Sequence, residues 1–529
     1  MTRRSRLALL CGYAAATFLS FPHPVGSRVL DLGLLCGWLS PGLLLLGLGG
    51  LAPRRAAVHG FLAGWLTQAA ILHWIYVVSV EYGHAAPPLG VIAIFGLAAH
   101  AGAFSAAFAW LWSTLDRRAL GSPLAAALLW TAIDYARGAG ALGFPWAAIG
   151  YSQHANPALL ALSAYTGVHG MTFAVVLGSA ALAGAARAAA TRRPLSKPAL
   201  GWLAAGAALC ALGALLRVPG DEGAARIRVA VLQGNIEQGV KWQPQWAEST
   251  LEIYEALARR AAAEGAQLIV LPETAVPGAL NADPALRARL AALARETRAA
   301  YVVGSVAVEA RAGEREVAFY DSAFAIEPSG EHGARYDKSQ LVPFGEFVPL
   351  GRWLGRLFSA VARGMATERV TPGAGPRALS VEVPAAAQPI ARVGVPICYE
   401  LLFPDVTRRF AREGAELLLA ITNDAWYGRT GAPYQLLAMT AVRSAESGLW
   451  TARAANTGVS AFIDARGRVL AQTRIFERDL LVADLPLRAP PRGGTFYARH
   501  GDVFAYGCGL GTALLAAASA LRKRRHERA

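Results

Sequence analysis

The first 216 residues are a succession of apolar stretches separated by short breaks, and this pattern limits the fold more than any other feature of the chain. The stretches run at about residues 7–21, 29–51, 57–80, 89–115, 119–135, 159–186 and 199–216, and an eighth lies at 503–521. A hydrocarbon core about 30 Å thick takes roughly 20 apolar residues of helix. Most of the stretches meet that length; 7–21 is short for a perpendicular crossing. A charged start followed by a short apolar run resembles a secretion signal. No small-residue cleavage site is evident, however, and more apolar stretches follow, so 7–21 reads as the first membrane helix. Residues 136–158 are too broken by Gly and Pro for a plain span, and carry Trp146 and Tyr151, suited to a membrane–water interface. Composition agrees: 16% of residues are charged, against about 25% in soluble domains.

Basic residues flank these stretches at Arg3, Arg4 and Arg6, at Arg54 and Arg55, at Arg117 and Arg118, across 187–197, and at 522–525. With eight crossings all five clusters fall on one side, which the positive-inside rule makes the cytoplasm. The block between the seventh and eighth spans then faces outward. The same clusters account for a net charge of +15. No basic run is interleaved with aromatics, so no nucleic-acid partner is expected. Asp134 and His73 are the main charge candidates within the spans. Both read as interfacial, which disfavours a transporter.

Residues 226–488 have a different texture. IRVAVLQ, QLIVL, AYVVGSV, VAFYDSAFAI, RVGVPI, ELLLAIT and VSAFID are strand-like, with helix-like segments at about 245–264, 284–298, 405–413 and 433–447. Strand–helix alternation argues for a layered α/β domain. Residues 363–390 read as a Pro/Gly/Ala-rich loop, and no internal repeat is visible. The predicted organisation is a multi-span α-helical membrane domain over 1–217, an α/β domain over 226–488, and a linker, final span and basic tail over 489–529.

Of five cysteines, Cys11, Cys36, Cys210 and Cys508 lie in apolar stretches and Cys398 stands alone in the α/β region. It has no disulfide partner there, and no CxxC or Cys/His cluster suggests zinc. Cys398 follows the apolar run 391–397, at a strand-to-helix bend ahead of Pro404-Asp405. A small core residue is the ordinary reading of such a cysteine. Two other polar residues stand directly after strand-like runs: Glu273 after QLIVLP and Lys338 after ARYD. Strand ends on one sheet edge converge. Together the three make a working set: a thiolate nucleophile, a carboxylate base, and an ammonium to hold a developing oxyanion, with the Tyr399 N–H as a second donor.

The wording around these residues is specific. LPETAVPG at 271–278, YDKSQLVPFGEFVP at 336–349, ICYELLFPD at 397–405 and ITNDAWYG at 421–428 resemble the Glu-Lys-Cys signatures of the nitrilase superfamily. Combined with seven preceding apolar stretches and one following, the chain resembles the bacterial apolipoprotein N-acyltransferases, the membrane-embedded branch. GFPWAAIGYSQ at 143–153, QGNIEQGVKWQ at 233–243 and RAANTGVSAFID at 453–464 extend the match. The resemblance implies an α-β-β-α sandwich facing the periplasm of a cell with an inner membrane. It implies acyl transfer in two steps: Cys398 takes the sn-1 acyl chain of a phospholipid, typically phosphatidylethanolamine, as a thioester, and the N-terminal amine of a diacylglyceryl apolipoprotein then accepts it. Glu273 would be the base and Lys338 the oxyanion stabiliser. Glu346, Tyr399 and Glu400 match supporting positions, and Trp242 a residue on a mobile arm near substrate, at 234–246. No cofactor or metal is implied.

Read from the residues alone, Glu346 lies between Phe344 and Phe347, a setting in which a carboxylate needs a partner such as Lys338. Trp242 reads equally as an interfacial anchor. Residues 347–361 give a basic amphipathic pattern that suits a helix dipping into the leaflet as part of a lipid gate. GFPWAAIGYSQ suits the membrane-side floor of that path or a re-entrant packing loop. The triad alone also permits a membrane-anchored amidase or nitrilase acting on a carbon–nitrogen bond. A non-catalytic export scaffold would not need all three residues.

Overall fold

The computed structural model describes residues 1–140, 142–216, 221, 224–310, 317–347, 370–384, 390–488 and 494–528, the last five as backbone. The amphipathic segment expected over 347–361 lies, apart from Phe347, outside the described residues. The chain divides into two compact units. One comprises Met1–Tyr76, Gly90–Arg217 and His500–Ala529, and the other Val77–Leu89 and Val218–Arg499.

In the first unit every apolar stretch is helical, at Arg3–Leu19, Gly33–Leu48, Pro53–Ile71, Pro87–Asp116, Pro123–Gly138, Pro157–Thr166, Val168–Ala190, Lys197–Leu215 and Val503–Arg528. Four of the described helices are long and apolar enough to cross a membrane, or five if Pro53–Ile71 and Trp74–Tyr82, bent by 57°, count as one. Arg3–Leu19, Gly33–Leu48 and Pro123–Gly138 have 17, 16 and 16 residues. At about 1.5 Å per residue they fall short of a 30 Å core. The stretch at 159–186 is two helices, broken at Gly167, whose φ is 65°. The stretch at 29–51 begins late because β1 (His23–Val25) and β2 (Arg28–Leu30) pair as a ribbon ahead of Gly33.

Several of the residues read as interfacial are buried within this unit. Asp134 is buried and paired with Arg137 at 2.7 Å on its own helix. Arg137 donates on to the carbonyls of Phe144 (3.2 Å) and Trp146 (2.7 Å), so one guanidinium ties the helix to the following loop. That pairing is what makes a buried charge tolerable. Trp146 and Tyr151 are buried as well, which makes 143–153 a packed loop within this unit.

The second unit contains two six-stranded sheets. The first orders β14 (Asp479–Leu487), β3 (Ala225–Gln233), β4 (Leu268–Val270), β5 (Ala300–Ala310), β6 (Val317–Ile326) and β7 (His332–Asp337). The second orders β13 (Val469–Gln472), β12 (Ala461–Ile463), β11 (Trp450–Ala455), β10 (Leu417–Thr422), β9 (Ile390–Gly394) and β8 (Leu379–Glu382). Each has a parallel trio at its centre, β3–β4–β5 and β9–β10–β11, flanked by one antiparallel strand on one side and two on the other. The sequence shows no repeat, but the topology repeats.

Side-chain parity explains the layers. On β3, Ile227, Val229 and Val231 point to a core shared with Val393, Leu417, Leu419 and Ile421 of the second sheet. The alternate residues Ala230 and Leu232 face the helices Ala247–Ala263 and Pro284–Thr297 through Tyr254, Leu257 and Leu290. Pro404–Arg412 packs Val406 and Phe410 against the second sheet, and Ala432–Ser447 packs Leu437 and Ala441 on β12. The α-β-β-α sandwich implied by the resemblance is therefore formed. Residues 379–382, expected in a loop, form β8, which pairs antiparallel with β9. Among the described residues, Val77–Leu89 also packs on this unit, with Tyr82 edge-on to Trp426 at 5.9 Å.

The site-bearing strand β9 tests this packing. A Cβ on Gly394 would lie 2.6 Å from Phe410 Cβ and 2.9 Å from Leu418 Cδ2. Gly394→Ala is expected to cost about 1–3 kcal/mol by overpacking. It should lower the melting temperature of the detergent-purified protein, whereas Gly184→Ala, which meets nothing within 4 Å, should not. Equal melting of the two variants would contradict this account of the layer.

Candidate active site

Two strained turns aim the chemistry. After β4 the chain runs through Leu271 and Pro272 to Glu273 and then reverses at Thr274, whose φ is 46°. After β9 the apolar run continues to Ile397, which bridges Ile421 of β10, and Cys398 turns sharply with φ 48° into a short 3₁₀ turn, Cys398–Leu402. Neither residue is glycine, and for a β-branched threonine such a φ is a genuine outlier. Strain of this kind persists only where the surroundings hold it in place, and it clusters at functional sites. Lys338 leaves β7 directly, anchored by its own N–H to the Asp321 carbonyl (2.8 Å) and by its carbonyl to the Gly373 N–H (2.8 Å).

The Lys338 ammonium is fully buried and donates to three carboxylates: Glu346 Oε1 at 2.6 Å, Glu273 Oε1 at 3.1 Å and Asp321 Oδ2 at 3.2 Å. Burial opposes its charge, but the charges of Glu273, Glu346 and Asp321 keep Lys338 protonated well above the usual range. Candidate ligand oxygens of the three carboxylates lie within 4.8 Å of one another, a spacing that suits a metal ion. The lysine nitrogen already contacts all three, so the cation this cluster is built around is an ammonium.

The carboxylates divide their protons unequally. Burial would raise Glu273, but the Lys338 charge, a hydrogen bond from Asp321 and the Lys241 charge hold it below the ordinary carboxylate range. Its Oε2 also accepts the Asn423 N–H at 2.7 Å. Asp321 moves the other way, raised by burial and by the Glu273 charge beside it. Among the described residues no donor reaches Asp321 Oδ1, a buried atom. Burial and the adjacent Glu273 charge both favour the neutral form of Asp321 over its carboxylate.

Cys398 is buried, and its thiol is pushed well above its usual value by burial and by the Glu273 charge, against the pull of Lys338. Asp424 raises it further, while a hydrogen bond with Thr422 lowers it. Asp424 is itself paired with Arg453 at 2.9 Å, both wholly buried. At rest the sulfur is a thiol and Glu273 a carboxylate. The Lys338 ammonium is a donor that a developing oxyanion can use.

Of the remaining residues expected from the sequence, Glu346 is held by Lys338 and by the Val342 N–H at 2.8 Å. Glu400 does not reach the lysine; it braces the site instead. Its Oε1 accepts from Tyr336 OH (2.7 Å), Ser339 N (2.8 Å), Ser339 Oγ (2.8 Å) and Gln340 N (3.2 Å), and its Oε2 from Ile397 N (2.9 Å). One carboxylate thereby locks the turn after Lys338 to the turn before Cys398. Tyr399 is buried, with its ring edge-on to Phe403 at 5.2 Å. Trp242 is 50% exposed, with its ring centre 5.9 Å from the Lys241 ammonium. Its neighbour Lys241 is the buried one, donating to the Glu273 carbonyl (3.2 Å) and Thr274 Oγ1 (2.7 Å). Sequence reasoning missed Asp321 and Lys241. The available signal for Asp321 was a lone acid inside the apolar strand VAFYDSAFAI.

Residues 228–489 match the carbon-nitrogen hydrolase family, and residues 14–181 match the apolipoprotein N-acyltransferase N-terminal domain. An apolipoprotein N-acyltransferase from Geobacter metallireducens is 36% identical over 525 residues, covering 98% of this chain and 96% of that protein. The chain belongs to the apolipoprotein N-acyltransferase family. A second member, from Azotobacter vinelandii, is 36% identical over 489 residues, 90% of this chain and 89% of that one. Among solved structures, an amidase from Nesterenkonia sp. is similar at 23% identity and a TM-score of 0.37, covering 54% of this chain and 96% of the amidase. Family membership and the apolar helices make this a membrane protein with a catalytic carbon-nitrogen hydrolase domain.

The upward shift at Asp321 has a measurable consequence. A carboxyl raised on folding contributes stability that is complete at low pH and lost as pH rises through its folded value. Ionisation there would place a third negative charge beside Glu273 and Glu346. Asp321→Asn cannot ionise yet keeps an acceptor for Lys338 and a donor for Glu273. Its melting temperature is expected to match wild type at low pH and to fall less steeply as pH rises. Parallel curves would show that Asp321 is an ordinary carboxylate.

Proposed function

We propose that the protein transfers a fatty acyl chain from the sn-1 position of a phospholipid to the N-terminal amine of the S-diacylglyceryl-cysteine of an apolipoprotein, through a thioester on Cys398. The observation that carries this is the buried cluster of Glu273, Lys338 and Cys398 at three strand ends, in a chain alike over nearly its whole length to named apolipoprotein N-acyltransferases.

In the first step the Cys398 sulfur attacks the ester carbonyl and Glu273 takes the thiol proton. The carbonyl oxygen becomes an oxyanion, held by the Lys338 ammonium and the Tyr399 N–H. Drawing Lys338 toward that oxygen frees Glu273 from its strongest partner, so the carboxylate becomes a base as the thiol needs one. Collapse breaks the ester C–O bond, Glu273 returns the proton to the leaving glycerol oxygen, and a lysophospholipid departs. In the second step the neutral α-amine attacks the thioester carbonyl, forming the C–N bond, and Glu273 takes an amine proton. The C–S bond then breaks and the proton passes to the sulfur, restoring the thiol and leaving an amide. A thioester suits this task because it stores the chain while one lipid leaves and another arrives.

Glu346 keeps Lys338 charged when it turns from Glu273 to the oxyanion. Glu400 holds the lysine and cysteine turns at a fixed distance. Trp242, on the exposed side of the arm at 234–246, suits contact with lipid. We assign residues 1–217 to the membrane domain, 226–488 to the catalytic domain facing the periplasm, and 489–529 to the return into the cell inner membrane, on the basic clusters that flank the apolar stretches. Phosphatidylethanolamine is the expected donor.

Intact mass of the detergent-purified protein after incubation with phosphatidylethanolamine alone tests the reading. Wild type is expected to gain one fatty acyl group that hydroxylamine removes, and Cys398→Ala to gain none. Ammonia release from small amides, with no acyl adduct at any time, would point to carbon–nitrogen hydrolysis instead.

A further inference from the structure

Lys241 is a buried cation placed where the acyl-transfer scheme has no use for it. Its backbone belongs to a tight turn, with its N–H donating to the Glu237 carbonyl at 3.2 Å. Among the described residues it forms no ion pair. Its ammonium instead donates to the Glu273 carbonyl at 3.2 Å and the Thr274 hydroxyl at 2.7 Å, and lies 5.9 Å from the centre of the Trp242 ring. Burying an ammonium without a carboxylate is costly, and a neutral residue in this place would avoid that cost.

The two acceptors belong to the residues on either side of the Glu273–Thr274 peptide bond, at a left-handed turn. Thr274 sits at φ 46°, where a branched side chain crowds its own backbone. The chain must make that turn for Glu273 to face Lys338. A single ammonium bridging the carbonyl before the turn and the hydroxyl after it resists relaxation of the turn, and so fixes the carboxylate. The same arm reaches Glu273 by a second route. Gln238 Oε1 accepts from Asn423 Nδ2 at 2.7 Å, and the Asn423 N–H donates to Glu273 Oε2 at 2.7 Å. The arm therefore grips both the backbone and the carboxylate of the base, while its next residue, Trp242, is exposed.

We infer that Lys241 is a positioning residue for Glu273: it clamps the left-handed turn at Thr274 and thereby ties the orientation of the base to the arm that carries Trp242. The inference rests on the acyl-transfer reading, in which Glu273 is the base for both steps. The side-chain hydrogen bonds of Lys241 go to Glu273 and Thr274, so the expected effect is on the rate of chemistry and not on lipid affinity.

The test is single-turnover formation of the Cys398 acyl adduct, followed by intact mass over a range of phosphatidylethanolamine concentrations in detergent micelles. Lys241→Met is expected to slow the saturating rate roughly 10- to 100-fold, the scale of a misplaced catalytic group, with the half-saturating lipid concentration unchanged. Lys241→Arg, which keeps charge and donors, should recover part of the rate. Thr274→Gly removes the strain that the clamp opposes, so adding Lys241→Met in that background should cost less than it does in wild type, a coupling that a general loss of stability would not produce. Should Lys241→Met not survive purification, Lys241→Gln is read the same way. Wild-type saturating rates in the neutral variants, or equal losses in both Thr274 backgrounds, would overturn the inference while leaving acyl transfer intact. No adduct on wild type itself would overturn the acyl-transfer reading and this inference with it.

Discussion

The site depends on one ammonium held among three carboxylates. Lys338 lies within 3.2 Å of Glu273, Asp321 and Glu346, out of reach of water. Three ionised carboxylates around one cation in a dry interior would repel one another by more than the lysine could offset. Asp321 is the carboxyl pushed upward, by burial and by the Glu273 charge, while Glu273 is held low and burial raises the Cys398 thiol. Such a site has little tendency to react until a carbonyl oxygen arrives to share the lysine. For an enzyme that must carry an acyl group past water, a resting thiol is safer than a standing thiolate.

The scaffold explains how groups far apart in sequence meet. Each six-stranded sheet has a parallel trio at its centre, and Glu273, Cys398 and Asn423 all leave such trios at the carboxyl end of a strand. Two of those exits are left-handed turns at non-glycine residues. The strain is held by hydrogen bonds that cross between segments: Glu400 ties the turn before Cys398 to the turn after Lys338, and Lys241 bridges the turn at Thr274. Residues described by motif as supporting are, in physical terms, the braces of strained backbone.

Much of the α/β unit was legible because its strands alternate or run apolar between turn residues, and all four helix-like segments appear within a few residues of expectation. Among the strands missed, β8 lies in a stretch rich in Pro and Ala, and β11 carries Arg453, whose charge hides a buried strand because its partner Asp424 is distant in sequence. In the helical unit, hydropathy found every helix but not where each ends. A glycine break at 167 and a ribbon at 23–30 leave no mark on an apolar average. Asp134 looked interfacial because its partner, Arg137, is recognisable only once both are known to share a buried helical turn.

The sequence by itself determined the chemistry available. A single cysteine outside the apolar stretches, a glutamate and a lysine each following a strand, and the motifs around them are all readable locally along the chain. Only the tertiary structure decided their electrical state. That Asp321 joins the cluster, and that Lys241 bridges the Glu273 carbonyl and the Thr274 hydroxyl, follow from distances between segments that no local pattern encodes. Charge in a buried site is set by neighbours in space, and those neighbours come from five separate stretches of chain.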